Sequence, residues 1–206
     1  KNKICPNSIV HLFEYSTKII DYCNINNIPV LIDVPNVTQN FIKEVHSSGK
    51  GHFLTYFSDQ EKQEQLSLQK ADKILSPSDF VTEYLIRLGI RKENISTIPF
   101  GANPVKRKII KNPNPKNMRY LFVGNVDFRK GVPEILQAFS DNSFKNDELI
   151  LLGKKTREMN KFLKGTKNVH YMGFRNPEKF YLTSDVFLFP SWCEGSAKVI
   201  YEAMSY

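Results

Sequence analysis

One feature constrains this chain more than any other. Short apolar runs with strand composition alternate with longer stretches of helical spacing almost from end to end. Residues 29–34, 72–76 and 94–99 in the first half, and 119–124, 148–152, 168–172 and 185–189 in the second, have the composition of buried strands. Between them, residues 35–48, 59–70, 80–88, 132–139, 156–163, 177–183 and 196–205 are expected helices. Residues 8–26 are expected to form another, because Ile9, Leu12, Phe13, Ile19, Ile20 and Cys23 fall at helical spacing. Ser76 or Ser78 is the expected cap of the helix at 80–88, which stops at Gly89. Strands joined by helices of this length pair in parallel through right-handed crossovers. The expected class is therefore α/β, with Rossmann-like parallel sheets.

The alternation is broken once. Residues 104–117 hold Pro104, Pro113 and Pro115 among Asn and Lys residues, with little apolar periodicity. This composition marks an interdomain linker, separating a domain at 1–103 from one at 118–206. Open doubly wound domains usually carry more strands than either half offers. The last expected helix also reaches Tyr206 with no strand to receive it. Both domains are expected to be incomplete, the chain being a piece truncated at both ends.

Composition narrows the function classes. At 41% hydrophobic and 24% charged residues, a disordered or fibrous chain is excluded. Lys and Arg total 29 against 21 for Asp and Glu, a formal charge of +8. That balance suits a phosphate-bearing ligand or peripheral contact with an anionic membrane. The basic residues are scattered, with modest clusters at 106–111 and 154–167 and no aromatic-interleaved stripe, so nucleic acid is not an expected partner. Cys5, Cys23 and Cys193 are too dispersed for a disulfide framework or a zinc site, and no metal site is expected. No run approaches the roughly 20 apolar residues of a membrane span. Residues 1–6 lead into a mixed amphipathic stretch, and a cytoplasmic location, peripheral at the inner face of a membrane, is the expectation.

Three expected strands of the second half end at glycine: Gly124, Gly153 and Gly173. In an open α/β sheet, ligands bind beyond the carboxyl ends of the strands. Neither G-x-G-x-x-G nor G-x-x-x-x-G-K-[ST] is present, so the glycines alone also suit simple strand-to-helix turns. Residues 124–131 are more specific, since they bring Arg129 and Lys130 to a helix start, where cations and backbone N–H groups suit a diphosphate. In residues 190–203, Glu194 follows a buried strand, the small residues Gly195, Ser196 and Ala197 open a helix, and Glu202 lies about two turns inside it. Carboxylates so placed can fix sugar hydroxyls flanking a phosphate. A hydrolase acid–base pair is the rival assignment for Glu194 and Glu202, but nothing in the spacing flanks a glycosidic bond. His46 and His52 stand near Gly49 and Gly51, while Trp192 suits either ligand stacking or shielding of its loop.

Residues 123–131, 168–173, 184–191 and 194–204 resemble the donor domain of family 4 glycosyltransferases, two-domain GT-B enzymes that use nucleotide sugars. Residues 70–78 and 98–102 resemble the same family just before its interdomain linker, so the resemblance covers roughly 70–206. It implies a glycosyltransferase that moves a sugar from a nucleoside-diphosphate sugar to a glycan or lipid-linked acceptor, with retention of configuration and without metal or other cofactor. It further implies that Lys130, with Arg129 beside it, holds the donor diphosphate. Glu194 would bind the transferred sugar, Gly195–Ala197 would supply N–H groups, and Glu202 would bind the ribose. Lys130 and Glu194 are the implied catalytic residues, and Gly124, Asn125 and Gly173 complete the donor site. The family often has Arg where this chain has Asn125. The alternative is a truncated or non-catalytic homologue that at most binds nucleotide.

Overall fold

The computed structural model describes residues 8–48, 57–105 and 117–206. They form two compact units, the first comprising Lys1–Phe100 with Glu194–Ser196, the second Gly101–Cys193 with Ala197–Tyr206. Residues 106–116 of the expected linker lie outside the described residues, as do Cys5, His52 and the basic cluster at 106–111.

The first unit runs β1 (Val10–Leu12), α1 (Thr17–Ile25), β2 (Val30–Asp33), α2 (Gln39–Ser47), α3 (Ser58–Lys70), β3 (Lys73–Ser76), α4 (Asp79–Arg87) and β4 (Ile95–Thr97). Its strands pair in parallel in the order β1-β2-β3-β4. Val30, Ile32 and Ile74 point into a core completed by Ile20, Val81 and Leu85 from α1 and α4. Ser78 caps α4, its hydroxyl accepting the Val81 N–H at 3.3 Å.

The stretch at 8–26 departs from the helix expected there. Val10–Leu12 pairs with Val30–Ile32, and the helix begins only at Thr17. The spacing of Ile9, Leu12 and Phe13 fits a helix, but backbone pairing along the edge of β2, opened by the Val10 N–H bond to the Pro29 carbonyl (2.9 Å), outweighs it. Local periodicity is a weak prior against a tertiary strand pairing.

The second unit runs β5 (Arg119–Val123), α5 (Val132–Phe139), β6 (Glu148–Leu152), β7 (Val169–Gly173), α6 (Glu178–Thr183), β8 (Val186–Phe187) and α7 (Lys198–Met204). Its parallel sheet has the order β7-β6-β5-β8. Neighbouring residues divide between the two faces. Phe122, Leu149 and Leu151 join α5 in one core, while Leu121, Ile150 and Leu152 meet Tyr181 of α6 in the other. This two-sided burial is why these strands read as unbroken apolar runs.

The basic helix expected at 156–163 is not formed. Val126 bridges Lys155, the Thr156 N–H donates to the Val126 carbonyl (3.2 Å), and only one 3-10 turn follows, at Glu158–Asn160. The sheet takes the first residues of the segment, fully buried Met159 anchors its middle, and Gly165 turns the chain with φ +85°. Too few residues remain for a stable helix.

Candidate donor site

The order β7-β6-β5-β8 reverses direction at one place: chain progress runs outward from β5 to β7, then returns to the other side of β5 for β8. The crevice beyond the carboxyl ends of β5 and β8 is thus a topological switch point, where open α/β sheets hold ligands. Gly124 follows β5 directly, and residues 190–193 lie just beyond β8.

These two loops are joined by specific bonds. The Trp192 N–H donates to the Arg129 carbonyl (3.0 Å), and the Arg129 guanidinium donates back to the Cys193 carbonyl (3.1 Å). Trp192 Nε1 donates to Glu134 Oε1 on α5 (2.9 Å), so the indole pins its loop to that helix. Lys130 stands with its ammonium 5.7 Å from the centre of the Phe189 ring. Asp127 shapes the turn by accepting the Lys130 N–H at 2.9 Å.

That turn uses much of its own donor capacity. The Gly131 N–H bonds to the Phe128 carbonyl (3.0 Å), the Val132 N–H to the Asp127 carbonyl (3.4 Å), and Pro133 has none. What the loop offers an anion is therefore chiefly the charge of Arg129 and Lys130 rather than a row of helix amides. Arg129 is both cation and strut. Asn125 is exposed at the start of the same loop, and Gly173 closes β7, its carbonyl accepting the Gly153 N–H at 2.9 Å.

Glu202 lies on α7 and lines a cleft of about 560 Å³ within the second unit, with Asn176, Pro177, Tyr181 and Lys198. Its Oε2 accepts from the Tyr181 hydroxyl (3.4 Å), and its Oε1 lies 3.8 Å from Lys198 Nζ. Burial and the adjacent Glu202 carboxylate push the Tyr181 hydroxyl far above its ordinary range, so it stays a donor. Tyr181 and Lys198 are not foreseen by the sequence reading. The Lys198–Glu202 pair has i,i+4 spacing, which offers a local signal, whereas Tyr181 reaches Glu202 only through the packing of α6 on α7.

Of the remaining expected site residues, Ala197 precedes α7 in the second unit, whereas half-buried Glu194 groups with the first unit together with Gly195 and Ser196. His46 lies on α2 and His11 on β1, with His11 Nε2 3.8 Å from Asp33 Oδ2. Among the described residues, no helix is long and apolar enough to cross a membrane.

A family model described as glycosyl transferases group 1 matches residues 105–206. No curated protein matches the chain. Among solved structures, the chain is similar to HepE of Anabaena in complex with UDP, with TM-score 0.67 and 16% identity over 95% of this chain and 57% of that one. It is similar to WaaG, a glycosyltransferase involved in lipopolysaccharide biosynthesis, with TM-score 0.63 and 18% identity over 91% and 60%. The pneumococcal O-GlcNAc transferase GtfA, in complex with UDP and GlcNAc, gives TM-score 0.65 and 14% identity over 96% and 40%. The fold class is that of these GT-B proteins, and the chain spans between 40% and 60% of their lengths.

Proposed function

Residues 105–206 belong to the group 1 glycosyl transferases, and from that premise we propose that the protein moves a sugar from a nucleoside-diphosphate sugar to a hydroxyl of a glycan or lipid-linked acceptor. The observation that carries this reading is the cationic loop of Arg129 and Lys130, bonded to residues 192–193 at the switch point of the second unit. A diphosphate is the anion such a loop suits.

In this reading the bond between the anomeric carbon and the diphosphate oxygen breaks, and its electron pair stays on the departing phosphate. Lys130 and Arg129 neutralise the charge that develops there, a contribution whose removal typically costs 10²- to 10³-fold in rate. The acceptor hydroxyl attacks from the face the diphosphate leaves, and its proton passes to a phosphate oxygen, so configuration is retained and no metal is required. Glu194 holds hydroxyls of the transferred sugar, with Gly195, Ser196 and Ala197 offering backbone N–H groups. Gly124, Asn125 and Gly173 border the donor. Glu202 accepts from the ribose hydroxyls, and the Tyr181 hydroxyl orients its carboxylate. A cytoplasmic chain working at the inner face of a membrane fits the charge of +8 and a lipid-linked acceptor.

A saturating nucleoside diphosphate should raise the melting temperature by about 5–10 °C, measured for UDP, GDP and ADP in turn. Lys130→Ala or Glu202→Ala should remove the rise. No response to any of the three nucleotides from folded protein would sink the donor site. The second reading, a homologue that binds nucleotide without transferring sugar, is favoured by exposed Asn125 standing where the family often has a cation. Nucleotide binding with no release of sugar from any UDP-, GDP- or ADP-sugar, to water or to acceptor, would select it.

A further inference from the structure

The segment that follows β6 carries a concentration of charge that the transferase reading leaves unused. Residues 154–167 hold six cations, Lys154, Lys155, Arg157, Lys161, Lys164 and Lys167, against one acid, Glu158. This one segment therefore accounts for +5 of the chain's formal +8. All six cations are exposed.

The local structure keeps them at the surface. Met159 is fully buried and anchors the middle of the segment. The 3-10 turn at Glu158–Asn160 and the bond from the Leu163 N–H to the Met159 carbonyl (3.2 Å) wind the chain around that anchor. Thr166 Oγ1 donates to the Leu163 carbonyl at 3.1 Å and holds the next turn. Phe162, 42% exposed, adds apolar surface close to Lys161 and Lys164.

The side chains select the partner. Five of the six cations are lysines, whose ammonium groups are hydrated point charges on flexible stems. Recognition of one phosphate draws on the paired donors of arginine, whereas many lysines together suit anionic groups spread over a surface. Nucleic acid asks for aromatic faces on which bases stack. Here Phe162 is set edge-on against Phe128 at 5.4 Å, and the Lys155 ammonium stands over the Tyr171 ring at 4.5 Å. A partly exposed aromatic side chain among lysines fits the boundary between headgroups and acyl chains.

The segment is also tied to the loop of Arg129 and Lys130. The Val126 N–H donates to the Lys154 carbonyl (2.7 Å), the Thr156 N–H donates to the Val126 carbonyl (3.2 Å), and Phe128 meets Phe162. Whatever surface residues 154–167 rest on, residues 124–131 are held close to it.

We propose that residues 154–167 of the second unit dock on an anionic phospholipid bilayer and so set the proposed donor loop beside the membrane. The docking rests on the segment alone. Its use to the donor loop rests on the transferase reading above.

Co-sedimentation of the full chain with phosphatidylcholine vesicles, with and without about 30 mol% phosphatidylglycerol, tests it. The chain should sediment with the anionic vesicles and stay in solution with the neutral ones, and roughly 0.5 M salt should release it. The pair Lys161→Gln and Lys164→Gln should weaken binding about tenfold. The pair Lys18→Gln and Lys92→Gln removes the same charge from exposed positions of the first unit and should change binding less than about twofold. Circular dichroism and the melting temperature check that both double variants fold. Absence of binding to anionic vesicles, equal binding to neutral ones, or an equal loss from the two pairs overturns the proposal. So does a single-stranded oligonucleotide of roughly 20 nucleotides that binds more tightly than the vesicles through Lys161 and Lys164. Melting curves with UDP, GDP and ADP, taken without vesicles, separate the two claims. Vesicle binding without a nucleotide response upholds the docking and sinks the donor site, while the reverse result does the opposite.

Discussion

Gly131, immediately after Lys130, has φ +68°, and a Cβ there would strike the Pro190 carbonyl oxygen. Two constraints therefore coincide on one residue: a left-handed backbone and a close approach of the two loops of the proposed donor site. Gly131→Ala should lower stability by about 2–3 kcal/mol in urea unfolding. It should also blunt the nucleotide-induced rise in melting temperature, because relieving the clash separates Lys130 from residues 190–193. At this scale Arg129, Lys130 and Glu202 stand out in the sequence as candidates for the proposed donor site, since charge and spacing are local properties. The Tyr181 hydroxyl on Glu202 and the Cys193 carbonyl on Arg129 do not, because nothing local ties residues that far apart. Trp192 was ambiguous in sequence, and its Nε1 bond to Glu134 assigns it to holding the loop.

Among the elements, α5 follows the loop of Arg129 and Lys130 on which the proposed donor site rests, and its placement depends on how its buried face meets the sheet. Val132, Ile135, Leu136 and Phe139 form that face. Phe139 is 5% exposed, edge-on to Tyr120 at 5.2 Å and stacked on Phe144 at 4.8 Å. Phe139→Ala should cost about 3–5 kcal/mol in chemical denaturation, with Phe139→Leu much milder. The bounds expected for α5 match those observed, because the buried face, the Pro near its start and Ser140 after its end agree. The segments at 8–26 and 156–163 depart from their helical spacing for a shared reason. In each, the sheet takes backbone groups that a helix would have used.

For the molecule as a whole, each unit buries its own core, around Ile32 and Ile74 in the first and Phe122 and Leu151 in the second. The first unit also carries a pH-dependent contribution. Burial raises the Glu64 pKa above 4.5, aided by the Glu61 charge and opposed by the Gln39 N–H and the Tyr15 hydroxyl. Folded protein then holds a proton that unfolded protein has released, so this contribution to stability falls as pH rises through the window above 4.5. Glu64→Gln does not titrate at this site. Its stability relative to the parent protein should therefore climb with pH across that window and then level off, as read from urea unfolding at successive pH values. A flat difference would refute the assignment.

The sequence by itself determined the class of fold, a pair of parallel α/β regions, because that is written in local periodicity, and its residue chemistry supplied Arg129, Lys130 and Glu202 as the charged candidates for the proposed donor site. Only the tertiary structure decided the strand order that sets the switch point between β5 and β8, the edge strand at Val10–Leu12, and the partners of Arg129, Glu202 and Glu64. Those depend on which surfaces meet after the chain has folded back, and apolar burial drives that folding without regard to separation along the chain.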